Sequence, residues 1–213
     1  YSHLDRASSA TEIANGLVRE SALMHDWVEG FEVHTMSEIP SHGSGLGASS
    51  SIAVALAALF DRMARFRSGD RAETCWQDGG EDGHRARVAK AAWEVEIDRL
   101  RRPVGRQDHM AAAYGGLRLY RFEHSRAAVE RSFSAEDAAW VAGHLVLVRL
   151  REGHDARAIL SGVVDAGQLQ TAHDAVRVAV SAVERRLPGL LGEALECGQA
   201  SKARIPGAVT PSV

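Results

Sequence analysis

The chain has 213 residues, of which 45% are hydrophobic and 25% are charged, and its formal net charge is −3. These values are ordinary for a soluble globular protein with one large or two small domains. The small negative charge argues against a nucleic-acid partner, and no apolar run is long enough to span a membrane.

The first half of the chain alternates short structural patterns with glycine-rich stretches. Apolar residues at helical spacing predict helices, and alternation of β-forming residues predicts a strand. In chain order we predict a helix over residues 11–27, a strand over 30–36, a helix over 50–67, a polar loop over 68–83 and a helix over 84–100.

In the second half, Pro103 and Gly105 break the preceding helix pattern. A short helix should follow Asp108, and the nearly continuous apolar run at 144–150 predicts a strand buried on both faces. The remaining predicted elements are a strand over 117–122, a polar connection over 123–139 that could include a short strand, and helices over 172–187 and 190–203. The fold class is α+β, with a boundary between two subdomains near residues 123–140.

A glycine-rich segment joins the predicted strand at 30–36 to the helix at 50–67. Glycines let the backbone approach a ligand, and a helix N-terminus offers free N–H groups and a positive dipole end. The segment therefore predicts a phosphate-binding loop. The residues expected to line this phosphate site are Pro40, Gly43, Ser44, Gly45, Leu46, Gly47, Ala48, Ser49 and Ser50.

Other interpretations of this segment are weaker. A Walker A loop requires a lysine that is missing here. The dinucleotide-binding pattern formally matches Gly43, Gly45 and Ala48, but Pro40 and its neighbours separate it from the strand, and Asp61 lies inside the helix pattern. An ordinary strand-to-helix turn is the remaining alternative.

The segment Pro-x-x-Gly-Ser-Gly-Leu-Gly-x-Ser-Ser resembles the second motif of the GHMP kinases, the superfamily of galactokinase, homoserine kinase and mevalonate kinase. Residues 105–117 resemble the block that carries the family's catalytic acid, and with 93–98 they are most similar to the heptose 7-phosphate kinase branch. Residues 202–211 are a weaker match to the stretch before the last glycine motif.

The resemblance implies a reaction in which ATP and Mg²⁺ serve to phosphorylate a sugar or sugar phosphate. Ser49 matches the serine that contacts magnesium, and Glu96 matches the magnesium carboxylate, although Glu94 and Asp98 are near enough to compete for that role. By the same resemblance Asp108 is the catalytic base. Arg106 would neutralise developing charge or keep that aspartate ionised.

The resemblance also implies a two-subdomain fold. The expected parts are an N-terminal nucleotide-binding domain over 1–125, like ribosomal protein S5 domain 2, and a ferredoxin-like helical C-terminal domain over 126–213. The first and last family motifs have no counterpart, and the chain begins with Tyr1, so we expect truncation at both ends and weak activity. A non-catalytic relative that binds nucleotide as a sensor or assembly partner is the alternative.

Other titratable residues carry weaker signals. Cys75 and Cys197 show neither metal spacing nor a disulfide framework, and no signal peptide pattern begins the chain, so we expect a cytoplasmic protein.

The histidines show no zinc pattern, and His42 and His109 are expected at the surface or behind the site. His154, Asp155 and Arg157 could lie near the substrate. The sequence leaves the acceptor, and whether the protein is a homodimer, open.

Overall fold

We analysed a computed structural model, which describes residues 5–37, 46–69, 80–123, 126–148 and 166–203. Helices and a small antiparallel sheet make up the structure, which confirms the predicted α+β class. The chain divides into two compact units, Tyr1–Arg131 and Ser132–Val213. None of the helices in the described ranges is long and apolar enough to cross a lipid bilayer.

The first unit opens with a short 3₁₀ helix, Ala10–Glu12, and helix α1, Gly16–Met24. The sequence predicted one continuous helix here. The side chain of Asn15 instead accepts hydrogen bonds from the backbone N–H groups of Leu17 and Val18 and so starts a new helix. This is the usual role of asparagine at an N-cap, and it explains why the predicted helix is divided.

Helix α2, Ala48–Arg67, starts within two residues of the predicted position and ends where the sequence predicted. One face of α2 is buried, with Phe60 fully inaccessible to solvent, and packs against the other helices of the first unit, whereas Leu59 is exposed. Burying a large aromatic side chain contributes on the order of 2–3 kcal/mol. This core holds the first turn of α2 in place, including the end of the glycine-rich segment.

Helix α3, Gly80–Glu94, continues directly into a π-helical turn, Val95–Arg99. The N–H of Leu100 donates to the carbonyl of Val95 at 3.0 Å, which closes a ring one residue wider than an α-helical turn. The predicted break follows, and helix α4, Gln107–Tyr114, begins directly after it. Helix α3 begins at Gly80, four residues before its predicted start at residue 84.

Strands β1, Arg118–Phe122, and β2, Ala127–Ser132, form a two-stranded hairpin. Glu123 and Arg126 exchange both backbone hydrogen bonds at its end, at 2.7 and 3.3 Å, so the strands are antiparallel. Residues from the hairpin and from α4 share a small apolar cluster: Met110, Tyr114, Tyr120, Ala127 and Val129. The hairpin thus supports the face of α4 that points away from solvent.

The second unit contains helices α5, Ala135–Gly143, α6, Ala166–Arg185, and α7, Pro188–Ala203. A capping box between Ser134 and Asp137 starts α5, which the sequence had assigned to a polar connection. Helices α6 and α7 pack closely on each other. Their positions agree with the two predicted C-terminal helices.

Two predicted strands are wrong. Residues 31–37 are neither helix nor strand, and the apolar run that begins at Leu145 is exposed, with Val146 at 89% of its maximum. A strand needs a neighbour for its backbone hydrogen bonds, and β1–β2 is the single sheet in the part of the chain that the structure describes. Most of the predicted loop at 68–83, and the end of the second predicted strand, lie outside the described residues.

Candidate active site

The first turn of α2 is the centre of the candidate site. Gly47 immediately precedes the helix with a φ of +67°, in the left-handed region that favours glycine. It leaves the first N–H groups of a 20-residue helix available to an anion. Leu46, Gly47 and the first three helical residues are described, while Pro40, Gly43, Ser44 and Gly45 lie outside the described residues.

Glu96 lies in the π-helical turn, and its side chain is only 1% exposed. Four donors converge on its carboxylate. On Oε1 these are the Ser49 hydroxyl at 2.7 Å and Nη1 of Arg102 at 3.3 Å. On Oε2 they are the Ser50 hydroxyl at 3.3 Å and Nε2 of His109 at 2.9 Å. The set satisfies the roughly four acceptor positions of an ionised carboxylate, so the negative charge is stable although buried.

Two opposing effects act on the pKa of Glu96. Burial raises it, because a charge is disfavoured away from water. The hydrogen bonds from His109 and Ser49, the positive charge of His109 and the hydrogen bond from Arg102 lower it by more, so the net pKa is below its ordinary value. Glu96 is therefore an anion at neutral pH.

The neighbouring acids do not share this environment. Glu94 forms an ion pair with Lys90 at 3.3 Å, one helical turn away, and Asp98 is exposed. Of the three acids that competed for the role of metal ligand, Glu96 is the one whose side chain contacts Ser49. Its burial also excludes the alternative of an ordinary solvated helix residue.

Asp108 lies in the first turn of α4 and is exposed. A Cβ atom at Gly47 would lie 3.5 Å from its Cγ and from its Oδ2, so the carboxylate rests against the start of α2. Arg106 immediately precedes α4. Its guanidinium lies 4.6 Å from the centre of the Trp93 ring and donates to the carbonyl of Glu123 at 3.2 Å. These two contacts anchor Arg106 to elements on either side of α4.

Ser49 and Glu96 present the hard oxygen atoms that magnesium prefers. Their oxygens are 2.7 Å apart. With magnesium–oxygen distances of about 2.1 Å, neighbouring ligands of an octahedral ion lie about 3.0 Å apart. One hydroxyl and one carboxylate at this separation, next to the N-terminus of α2, therefore fit an ion that keeps several waters and also binds phosphate oxygens.

Of two further residues at the site, His109 was expected either at the surface or behind the site, and Arg102 had no assigned role from the sequence. His109 is fully buried and contacts Glu96, and Arg102 pairs with Glu96 from the loop before α4. Side chains of successive helix residues point in directions about 100° apart. If Asp108 faces solvent, the next residue, His109, can therefore face the interior, and this was the available sequence signal. The sequence offers no comparable signal for Arg102. His42, His154, Asp155 and Arg157 lie outside the described residues.

Comparison with known proteins shows the family to which the chain belongs. A family model described as "GHMP kinases N terminal domain" matches residues 8–116, and the chain belongs to this family of kinases. It is also similar to the D-glycero-alpha-D-manno-heptose 7-phosphate kinase of Campylobacter jejuni subsp. jejuni serotype O:2, with 29% identity over 115 residues. That match covers 54% of this chain and 29% of the relative. No solved structure matches the chain. The predicted family is confirmed.

Proposed function

We propose that the protein is an ATP-dependent kinase that phosphorylates a hydroxyl of a small sugar or sugar phosphate. The observation that carries this proposal is that the first turn of α2 contacts two acids from different elements. Ser49 donates to Glu96 at 2.7 Å, and Gly47 lies against Asp108. A phosphoryl-transfer site needs a phosphate cradle, a metal carboxylate and a base close together, and these residues supply one candidate for each.

The phosphates of ATP would lie at the N-terminus of α2. The backbone N–H groups of its first turn face outward from the helix end, and Gly47 adds no side chain that would block their approach. The glycine-rich residues that precede Gly47 would complete the cradle. This part of the proposal extends the family's phosphate loop to the same segment of this chain.

Ser49 and Glu96 would hold Mg²⁺. When bound, the ion would supply positive charge beside the phosphate oxygens and so stabilise the charge that builds up on them. The chain's own contribution is to fix the carboxylate beforehand. His109 and Ser50 hold Oε2, so the carboxylate keeps its orientation, while at Oε1 the ion would replace the donors from Ser49 and Arg102.

Asp108 would act as the general base. The acceptor hydroxyl would donate a hydrogen bond to its carboxylate, form the new bond to the terminal phosphorus of ATP and lose its proton to Asp108, while the bond to the departing ADP breaks. Asp108 is exposed and therefore accessible to an acceptor. Arg106, anchored by Trp93 and Glu123, would lie at the edge of this reaction centre.

The name of the relative supports one acceptor as the first to test. The Campylobacter jejuni protein is named as a kinase of a heptose 7-phosphate, so a heptose 7-phosphate is the first acceptor to test. The proposal includes the family's domain arrangement, with a nucleotide-binding domain over 1–125 and a second domain over 126–213. The chain spans less than a third of this relative. An assay of this chain, and not the comparison, therefore decides whether it has the activity of the relative.

The direct experiment measures ADP release from Mg-ATP with D-glycero-D-manno-heptose 7-phosphate, unphosphorylated heptose, galactose and mevalonate as acceptors. The matched variants are Asp108→Asn, which removes the base but keeps the shape, and Asp98→Asn, which changes another exposed aspartate. We expect ADP release that depends on the heptose phosphate, is lost in Asp108→Asn and is retained in Asp98→Asn.

Different outcomes separate the alternatives. ADP release that is equal in wild type and Asp108→Asn contradicts the assigned base. If no acceptor gives ADP but Mg-ATP still raises the melting temperature, the protein binds nucleotide without kinase activity. If Mg-ATP changes neither measurement, the glycine-rich segment is not a phosphate loop, and the whole proposal fails.

A further inference from the structure

His109 is the most deeply buried titratable partner of the site. It has 0% exposure, and each of its ring nitrogens contacts an oxygen. Nε2 lies 2.9 Å from Oε2 of Glu96, and Nδ1 lies 3.2 Å from the carbonyl of Gly105. An ionised carboxylate can only accept hydrogen bonds, so Nε2 donates to Glu96. The two contacts of the ring connect the π-helical turn to the loop before α4.

The two oxygens of Glu96 face different surroundings. Oε2 points inward to His109 and to Ser50, which is itself 6% exposed. Oε1 points to Ser49, which is only partly buried. Both oxygens contact the first turn of α2, Oε1 through Ser49 and Oε2 through Ser50, and the contact of His109 with Oε2 keeps Oε1 toward Ser49. Without it, the carboxylate could rotate about its last torsion and lose the alignment with Ser49.

We propose that His109 is a positioning residue, which holds Glu96 so that Oε1 is presented to a divalent cation beside Ser49. This inference rests on the proposed function, since it takes Glu96 as the metal carboxylate. His109 also follows Asp108 directly in α4, and its bond to Gly105 fixes the backbone that enters this helix. One buried ring thus orients the metal carboxylate and supports the segment that carries the base.

Arg102 provides a contrast within the same site. It also contributes positive charge to Glu96, but it contacts Oε1, the oxygen that would face the cation, and its side chain is 27% exposed. An arginine in this position competes with a cation for the same oxygen. Removing Arg102 should therefore not weaken cation binding, whereas removing the donor on Oε2 should.

The test uses two matched substitutions of His109. In glutamine the amide nitrogen reaches the position of the ring Nε2, so His109→Gln retains the donor to Glu96 and loses the contact with Gly105. In asparagine the amide reaches only the position of Nδ1, so His109→Asn retains the opposite contact. A purely structural role predicts that both changes have similar effects, while the positioning role predicts that they differ.

The measurement is Mn²⁺ binding to the full chain in the presence of ATP, followed by the electron paramagnetic resonance signal of free Mn²⁺ and corrected for the Mn²⁺ that the same concentration of ATP binds without protein. Groups that orient metal ligands typically change metal affinity about 10–100-fold when removed. We expect His109→Asn to weaken Mn²⁺ binding by at least about tenfold, His109→Gln to stay within about threefold of wild type and Arg102→Gln to bind no more weakly than wild type. Circular dichroism melts establish that each variant is folded.

Three results would overturn the inference. These are equal weakening in His109→Asn and His109→Gln, wild-type affinity in His109→Asn, and equal weakening in His109→Asn and Arg102→Gln. The outcome is separable from that of the proposed function. If the wild-type chain shows no Mn²⁺ binding with ATP, the proposed metal site itself fails. If it binds but the variants follow one of these three patterns, only the role of His109 fails.

Discussion

Glu96 and Asp108 both approach the first turn of α2, but they have opposite surroundings. Glu96 is 1% exposed and accepts hydrogen bonds from four side chains. Asp108 is exposed, and within the described residues its carboxylate has no hydrogen-bond partner; it rests against Gly47. Two carboxylates of similar chemistry are thus placed where one is fixed and the other is accessible.

This difference suits the two acids to the different roles proposed for them. A carboxylate held by several donors keeps its charge and orientation, which suits a metal ligand. A carboxylate open to solvent can meet a substrate hydroxyl and exchange a proton with it. In enzymes that use two acids, the environment rather than the residue type commonly sets which acid takes which role. The comparison therefore predicts distinct consequences for each substitution.

The largest effect is expected for Asp108→Asn. Removing a general base typically slows turnover by about 10²–10⁴-fold. Because Asp108 is exposed, the same change should alter the free energy of unfolding by less than about 0.5 kcal/mol. Steady-state kinetics and urea unfolding of one preparation measure both quantities. A large loss of stability together with the loss of turnover would contradict the separation between the two acids.

Glu96→Ala should instead destabilise the protein. It leaves His109 and Arg102 without their buried anionic partner, and breaking a buried ion pair from one side costs about 3–5 kcal/mol. Asp98→Ala, an exposed acid on the same π-helical turn, is the matched control and should change stability by less than about 0.5 kcal/mol. Urea unfolding with equal losses in the two variants would contradict the assigned role of Glu96 in the fold.

Part of the same effect should depend on pH. Burial raises the pKa of Glu96, but its hydrogen bonds and the charge of His109 lower the pKa by more, so the net value is below the ordinary 4.5. A group with a lowered pKa stabilises the fold fully above its unfolded pKa and loses that contribution as the pH falls through its folded pKa. The stability difference between wild type and Glu96→Gln should therefore be largest near about pH 7 and shrink below about pH 4.5. If this stability difference instead grows as the pH falls, the pKa of Glu96 is raised and not lowered in the folded protein.

The sequence predicted the elements whose signals are local. Helix α2 has a regular apolar stripe and a glycine before its first residue, and α4 follows a proline and glycine break. The two predicted strands at 30–36 and 144–150 failed, because a strand depends on a distant partner that local patterns do not specify. An apolar run such as that beginning at Leu145 gives the composition of a strand but not the neighbour that would pair with it.

The same division applies to the site. Motif resemblance indicated Ser49, Glu96 and Asp108, and the structure brings Ser49 to Glu96 across 47 positions of sequence. Resemblance could not indicate Arg102, whose contact with Glu96 depends on the path of the loop after the π-helical turn. The wider turn over Val95–Arg99 was likewise not predicted, because the sequence pattern there is that of an ordinary helix.

The smallest expected effect tests the contact between Gly47 and Asp108. Gly47 has a φ of +67° and Gly30 a φ of +74°, so alanine at either position should cost about 1–2 kcal/mol of unfolding free energy. They differ in what a new Cβ atom would meet. At Gly30 no heavy atom lies within 4 Å, whereas at Gly47 the Asp108 carboxylate is 3.5 Å away, an ordinary contact distance.

The strain at Gly47 therefore lies in the backbone, and its relief would move the start of α2 relative to Asp108. Small displacements of a reacting group slow catalysis, so we expect Gly47→Ala to lower kcat by about tenfold and Gly30→Ala to leave it unchanged. Steady-state kinetics beside urea unfolding measure both effects for each variant. If both substitutions lower stability alike and neither changes kcat, Gly47 is needed only for the turn, and the position of Asp108 does not depend on it.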